Sequence, residues 1–216
     1  MLQTSITRSC YVPYSSINLT ESSPVQSFEE PLSVAELIEY LRLPENTDEV
    51  ETIQAMILAA REQAEILQGR DLVRKQWDLS LDYWPSGPIE LRGPVSSVDL
   101  LRYRDSGGAY TSMTENTDYI VDTAKQPAIV VPGYNTAWPM FTPWPSSAIL
   151  VRYTGGLAAD SAWWSDAGAR VKIGMKLLIS GWFNSRIPWA IGAGGRSEFP
   201  FAVTQCLSQG SVTRAR

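Results

Sequence analysis

Histidine is absent from this chain of 216 residues, and cysteine occurs only as Cys10 and Cys206. Without histidine, a serine nucleophile lacks its usual general base, and zinc lacks its commonest nitrogen ligand. The Gly-x-Ser-x-Gly turn of many hydrolases is missing as well. Two isolated cysteines make neither a metal cluster nor a disulfide framework; pairing and free thiols both stay open. The opening stretch MLQTSITRSCYVPYSS holds no apolar run of the signal-peptide kind. No segment approaches the roughly 20 apolar residues of a membrane span. These absences predict a soluble protein made in the cytoplasm, off the membrane, with no metal, no cofactor and no enzymatic activity. They point to a chain that assembles rather than one that catalyses.

What is present is a core and a charge gradient. Hydrophobic residues make up 44% of the chain, enough for a substantial interior. The formal net charge is -5, which argues against general nucleic-acid binding by the whole surface. Residues 1–66 carry eleven acids and three bases, whereas residues 167–216 carry one acid and seven bases. Such polarity suits a subunit that meets different partners at its two ends.

Residues 1–30 are rich in Ser and Thr and read as an arm. Ser33 with Glu36 three residues on forms a capping box, and Val34, Leu37, Ile38 and Leu41 repeat at helical spacing. Pro44 and Asn46 close this first helix. Asp48 is the expected cap of a second, whose apolar stripe runs through Val50, Ile53, Ile57, Ala60, Ala64 and Leu67 to a stop at Gly69. The period then changes to two: Trp77, Leu79, Leu81 and Tyr83 share one face of a strand. Short strands follow at Ile89–Leu91, Val98–Arg104, Ala109–Met113, Tyr119–Val121, Ala128–Val131 and Ala148–Tyr153. Asp105-Ser106-Gly107-Gly108 is a hairpin turn. The stretch 132–145, rich in Pro and Trp, is a long surface loop. Thr154-Gly155-Gly156 ends the sheet, and Val171, Met175, Leu178, Ile179 and Trp182 mark a third helix. Beyond it, Phe199-Pro200-Phe201-Ala202-Val203 is an apolar stretch in a polar tail.

Few constellations suggest chemistry. Ile191-Gly192-Ala193-Gly194-Gly195 lacks the Lys-Ser/Thr and the preceding strand of a phosphate loop, so a tail hinge is the better reading. A carboxylate pair on the first two helices could serve a glycosidase, but charges on helix faces are usually solvated surface. Eight tryptophans are many for this length. Trp138 and Trp144, in the Pro-rich loop, fit three roles: stacking on a sugar, a protein–protein hot spot, or pinning the loop to the sheet. A carbohydrate-binding virion or surface module is therefore the alternative function.

The order of these phrases resembles the head–tail connector (adaptor) proteins of tailed double-stranded DNA phages and gene-transfer particles. The carriers are Pro31–Glu36 followed by Tyr40–Leu43, then Ile57–Glu65 leading to Gly69-Arg70. Gln76-Trp77 opens the sheet, Val151–Gly156 closes it, and Phe199–Val203 comes late. The match runs from about Pro31 to Val203. The resemblance implies an α+β fold, a small helical bundle with a β-sheet insertion between its second and third helices, an extended N-terminal arm and a C-terminal tail. The boundaries it gives are an arm at 1–30, a bundle at 31–70 and 157–185, an insertion at 71–156 and a docking tail at 186–216. It implies a place in the virion neck, in a ring of twelve copies under the portal protein, assembled in the host cytoplasm. The ring closes the DNA-filled head and meets the next connector (stopper) or a tail protein. DNA passes through its lumen without specific binding. Trp189, Phe199, Phe201, Arg214 and Arg216 are the expected portal contacts. Glu36, Glu39, Glu45 and Glu51 are the expected acidic lining of the lumen. The chain departs from the family in its longer arm and in the more polar Thr204–Gln209.

Overall fold

The structure is a computed structural model that describes residues 17–24, 30–158, 160–184 and 201–208. The described chain forms two compact units. One gathers the described parts of Pro24–Lys75 and Gly155–Arg216 with Arg92–Pro94; the other gathers the described part of Met1–Ser23 with Gln76–Leu91 and Val95–Thr154.

The first unit is helical. Helix α1 (Val34–Leu41) starts at Ser33, whose hydroxyl accepts from the Glu36 backbone N–H while the Glu36 carboxylate accepts from that of Ser33. The capping box expected from the sequence is therefore present. The helix stops at Arg42, which takes a left-handed conformation (φ 57°), before Pro44 is reached. Helix α2 (Val50–Gln68) begins one residue later than expected: Glu49, not Asp48, is the N-cap, and its side chain makes no cap bond. Thr47 Oγ1 accepts from Glu49 N–H instead. At the other end Gly69 is left-handed (φ 67°), and its N–H bonds the Glu65 carbonyl, as its sequence position predicts. Helix α3 (Ala167–Asn184) follows a short 3-10 turn at Ala162–Ser165. The predicted stripes meet in one core of Ile53, Ile57, Ala60, Ala64, Val171, Met175, Leu178 and Ile179.

A fourth helix, α4 (Phe201–Ser208), was not anticipated. The sequence reading treats part of it as an apolar stretch of the tail. In the structure Val203 and Leu207 are buried in the bundle core, and α4 packs on α3 and α2. Gly174 on α3 makes this approach possible. A Cβ there would lie 2.7 Å from Leu207 Cδ2. Gln68 Nε2 donates to the Leu207 carbonyl and ties α4 to α2.

The second unit is two sheets. Strands β1 (Ile17–Pro24), β2 (Lys75–Leu81), β4 (Val95–Arg104), β5 (Tyr110–Met113) and β8 (Ile149–Gly155) form one sheet in the order β1-β2-β8-β4-β5. Strands β3 (Ile89–Leu91), β6 (Tyr119–Asp122) and β7 (Ala128–Pro132) form the other, antiparallel in the order β3-β7-β6. The hairpin at 105–108 joins β4 to β5, pairing Arg104 with Tyr110 and Leu101 with Met113. The inward residues include Leu79, Leu81, Leu91, Leu101, Val130, Val151 and Tyr153. Strand β2 ends at Leu81, so Tyr83 falls beyond the alternation and is 69% exposed rather than on the core face. Part of the expected arm is also structured, since Ile17–Pro24 supplies an edge strand.

Candidate functional site

The densest chemistry in the described chain is a buried ionic network at the C-terminal end of α2. Arg61 and Glu65 continue the face that buries Ile57 and Ala64, so both side chains sink into the bundle; each has only 4% of its side chain exposed. The Glu65 carboxylate accepts from Leu72 N–H (3.0 Å) and Lys75 Nζ (2.7 Å), and it pairs with Arg61 at 3.1 Å. Arg61 also donates to Glu30 at 3.1 Å. Asp71 is fully buried and accepts from Arg92 Nε at 2.8 Å. Arg70, also buried, has its guanidinium over the Trp163 ring at 5.5 Å.

The protonation of this network follows from its burial. Desolvation pushes the carboxyls of Asp71 and Glu30 above the ordinary range, against the opposing pull of Arg92 and Arg61. For Arg61 desolvation works against the charge, but Glu65 and Glu30 outweigh it and hold the proton more firmly. Arg70 is lowered by desolvation. The network is a structural clamp. Among the described residues no group of His, Cys, Asp and Glu could hold a metal ion. Sequence reasoning treated helix charges as solvated and missed it. The available signal was register: Arg61, Glu65 and Gln68 fall four, eight and eleven residues after Ile57, on the stripe itself.

The acidic residues singled out from the sequence separate into two kinds. Glu36 is engaged, capping α1 and pairing with Lys176 Nζ at 3.2 Å. Burial disfavours its charge, but Lys176 and the Ser33 N–H outweigh that and draw its pKa below the ordinary carboxylate value. Glu39, Glu45 and Glu51 are exposed. Of the C-terminal residues, Trp189, Phe199, Arg214 and Arg216 lie outside the described residues, as does Cys10. Phe201 opens α4, but its side chain is not among those described. Cys206 is a free thiol.

Trp138 and Trp144 do not form an open platform. Trp138 stacks on Trp84 with centroids 4.4 Å apart and planes 3° from parallel. Trp84 in turn meets Tyr103 and Phe141 edge-on. The Trp144 ring is covered by the Arg104 guanidinium at 3.9 Å. Both rings are partly buried, and both pin the loop to the sheet. The exposed large hydrophobic side chains of that loop are Tyr134 and Met140.

On the β4–β5 hairpin, Arg102 and Arg104 alternate with the inward-facing Leu101 and Tyr103. Their guanidinium groups sit 4.1 and 5.2 Å from the centroid of one ring, Tyr110. Arg104 Nε donates to the Gly108 carbonyl at 2.9 Å. By contrast, Arg152 on the neighbouring strand is neutralised by a bidentate pair with Asp78, both bonds 2.7 Å.

This fold has solved counterparts. A chain of the virion of a native gene transfer agent (GTA) particle superposes with a TM-score of 0.69 at 20% identity. A chain from the neck of an empty GTA particle, computed with C6 symmetry, gives 0.67 at 23%, and one from the neck of a native particle, computed with C12 symmetry, gives 0.62 at 22%. Each comparison covers 92% of this chain and 97% of the other. The likeness is one of fold. No family profile and no curated protein matches the sequence.

Proposed function

We propose that this chain is a structural neck protein of a virion-like particle, an adaptor in the ring between portal and tail. The observation that carries the reading is the near end-to-end match to neck chains of GTA particles, one of them from a neck computed with C12 symmetry. A ring subunit needs heterologous side surfaces that close by rotation, and twelve copies match that symmetry. The ring closes the filled head and offers the next connector or a tail protein its docking surface. The segment 186–216 docks on the portal through Trp189, Phe199, Phe201, Arg214 and Arg216. Exposed Glu39, Glu45 and Glu51 face the lumen, where negative charge keeps passing DNA from sticking. Glu36 joins them only in part, since capping and Lys176 already occupy it. No chemical step is assigned to the protein.

The test is co-purification with the portal protein of the same genome, followed by electron microscopy. A stacked ring with one copy per portal subunit is expected. A well-folded portal that never retains this chain would overturn the reading. Within assembled rings, changing Glu39, Glu45 and Glu51 together to Lys should lower DNA transfer without loss of the ring. Unchanged transfer would remove the lumen assignment alone.

A further inference from the structure

Arg102 and Arg104 hold two positive charges around one tyrosine ring, and no carboxylate pairs with either among the described residues. Arg102 Nε is shielded from solvent and makes no hydrogen bond there. Stacking on Tyr110, and for Arg104 also on Trp144, fixes both planar groups before any partner arrives. Like charges held this way favour an anion, and planar guanidinium groups favour a carboxylate or a phosphate.

The surroundings decide between the two. Residues 76–91 and 95–154 carry eight acids and four bases. Of those bases, Arg152 and Lys125 are already paired with Asp78 and Asp122. Two arginines in an acidic unit would meet a duplex with net repulsion, whereas a single carboxylate set in an apolar surface meets little. The platform is itself partly apolar, with Tyr110 50% exposed.

This chain presents such a carboxylate. Along the outward face of α2, Ala55, Leu58, Ala59, Glu62 and Ile66 follow steps of three and four. Leu58 is 44% and Ile66 70% exposed, and Glu62 has no cationic partner among the described residues. We infer that the Arg102–Arg104 platform of one copy receives the α2 stripe of a second copy, with Glu62 between the two guanidinium groups and Leu58 and Ile66 against Tyr110. This contact rests on the ring proposed above and supplies its heterologous side-to-side interface.

The experiment uses the full chain and three charge-reversed forms: Arg102→Glu with Arg104→Glu, Glu62→Arg, and all three together. Assembly is read by sedimentation and native mass spectrometry, free and on the portal, with circular dichroism as the folding control. Each reversal alone should raise the concentration needed for assembly at least about tenfold. The triple variant should recover it, and so should an equal mixture of the two single-sided variants. In that mixture every contact between unlike copies is again Arg against Glu, which an even-numbered ring accommodates. Wild-type assembly in both single-sided variants, or no recovery in the mixture, overturns this interface and leaves the ring intact. A wild-type chain that stays monomeric even on the portal overturns the ring and this contact together. Variants that assemble normally but lose affinity for a short DNA duplex overturn the contact in favour of a phosphate site.

Discussion

Replacing Glu65 by Gln should be among the most damaging single changes to the helical unit. The carboxylate is 96% shielded, accepts from the Leu72 N–H and Lys75 Nζ, and is ion-paired with Arg61. Glutamine keeps the shape and one acceptor oxygen, which still serves Leu72. Its NH2 group then faces a cationic donor, and the negative charge that balances Arg61 and Lys75 is lost. Breaking a buried pair from one side costs about 3–5 kcal/mol, most of it for the charge left in a poorly solvated place. Glu30, partly exposed, still neutralises Arg61 and sets the expectation at the lower end, about 3 kcal/mol. Urea unfolding followed by helical circular dichroism measures this. With a slope of about 1–3 kcal/mol per molar, the midpoint should fall by about 1 M or more. Glu39→Gln, on an exposed helix face, should stay within about 0.5 kcal/mol. A Glu65→Gln protein within about 1 kcal/mol of wild type would refute the argument, because a buried carboxylate with two hydrogen bonds and two cationic partners cannot be neutralised at so little cost.

Three further outcomes follow from the same geometry. Gly156→Ala should cost about 3 kcal/mol or more in thermal unfolding, since φ is +96° and the new Cβ would lie 1.9 Å from the Val73 carbonyl oxygen; Gly87→Ala, with open space around it, should be neutral. Leu207→Ala should cost about 2–5 kcal/mol by opening a cavity between α3 and α4, which chemical denaturation will show; a neutral result would mean that α4 is not part of the core. Across the acid range, wild type should gain stability relative to Asp71→Asn as pH falls through the raised Asp71 value towards 3.8, because the folded state binds that proton more tightly. Relative to Glu36→Gln it should instead lose stability as pH falls from 4.5 through the lowered Glu36 value, and pH-dependent melts with the opposite slopes would contradict both assignments.

Much of the architecture was legible because periodicity and end signals agreed. The α2 stripe, the left-handed Gly69 stop, the Ser33–Glu36 box and the 105–108 hairpin all appear where local patterns put them. What stayed hidden depends on partners distant in sequence. Strand β1 lies in a Ser- and Thr-rich stretch with no strong alternation, and its place comes from pairing with β2. Helix α4 is as short as α1 but lacks a Ser-x-x-Glu start signal, and it is held by Gly174 and by the burial of Val203 and Leu207. Arg61 and Glu65 looked like surface charges because their type was weighed above their register. The cation platform was illegible for a different reason: the 105–108 hairpin sets Tyr110 across from Arg104, but nothing local says that both guanidinium groups stack on that ring and that Trp144 covers Arg104.

Three of the phrases that carried the resemblance have a common physical task. The chain leaves the helical unit after Lys75 and returns at Gly155, with Arg92–Pro94 as an intervening visit. At these passages Asp71 N–H bonds the Gly93 carbonyl, Gly156 N–H bonds that of Pro94 at 2.7 Å, and Asp71 holds Arg92. Glu65 holds Leu72 and Lys75 beside them. Gly69-Arg70, Gln76-Trp77 and Thr154-Gly155-Gly156 thus mark where a β insertion is spliced into a helical bundle, and the polar groups exposed by splicing are satisfied there. Such a splice demands particular residues without doing any chemistry. Substitutions in it act through folding and should be remedied by cooling or stabilising solutes, whereas reversing Arg102 and Arg104 acts on a surface and should resist both. That contrast separates the parts of this chain that build the subunit from the parts that join it to others.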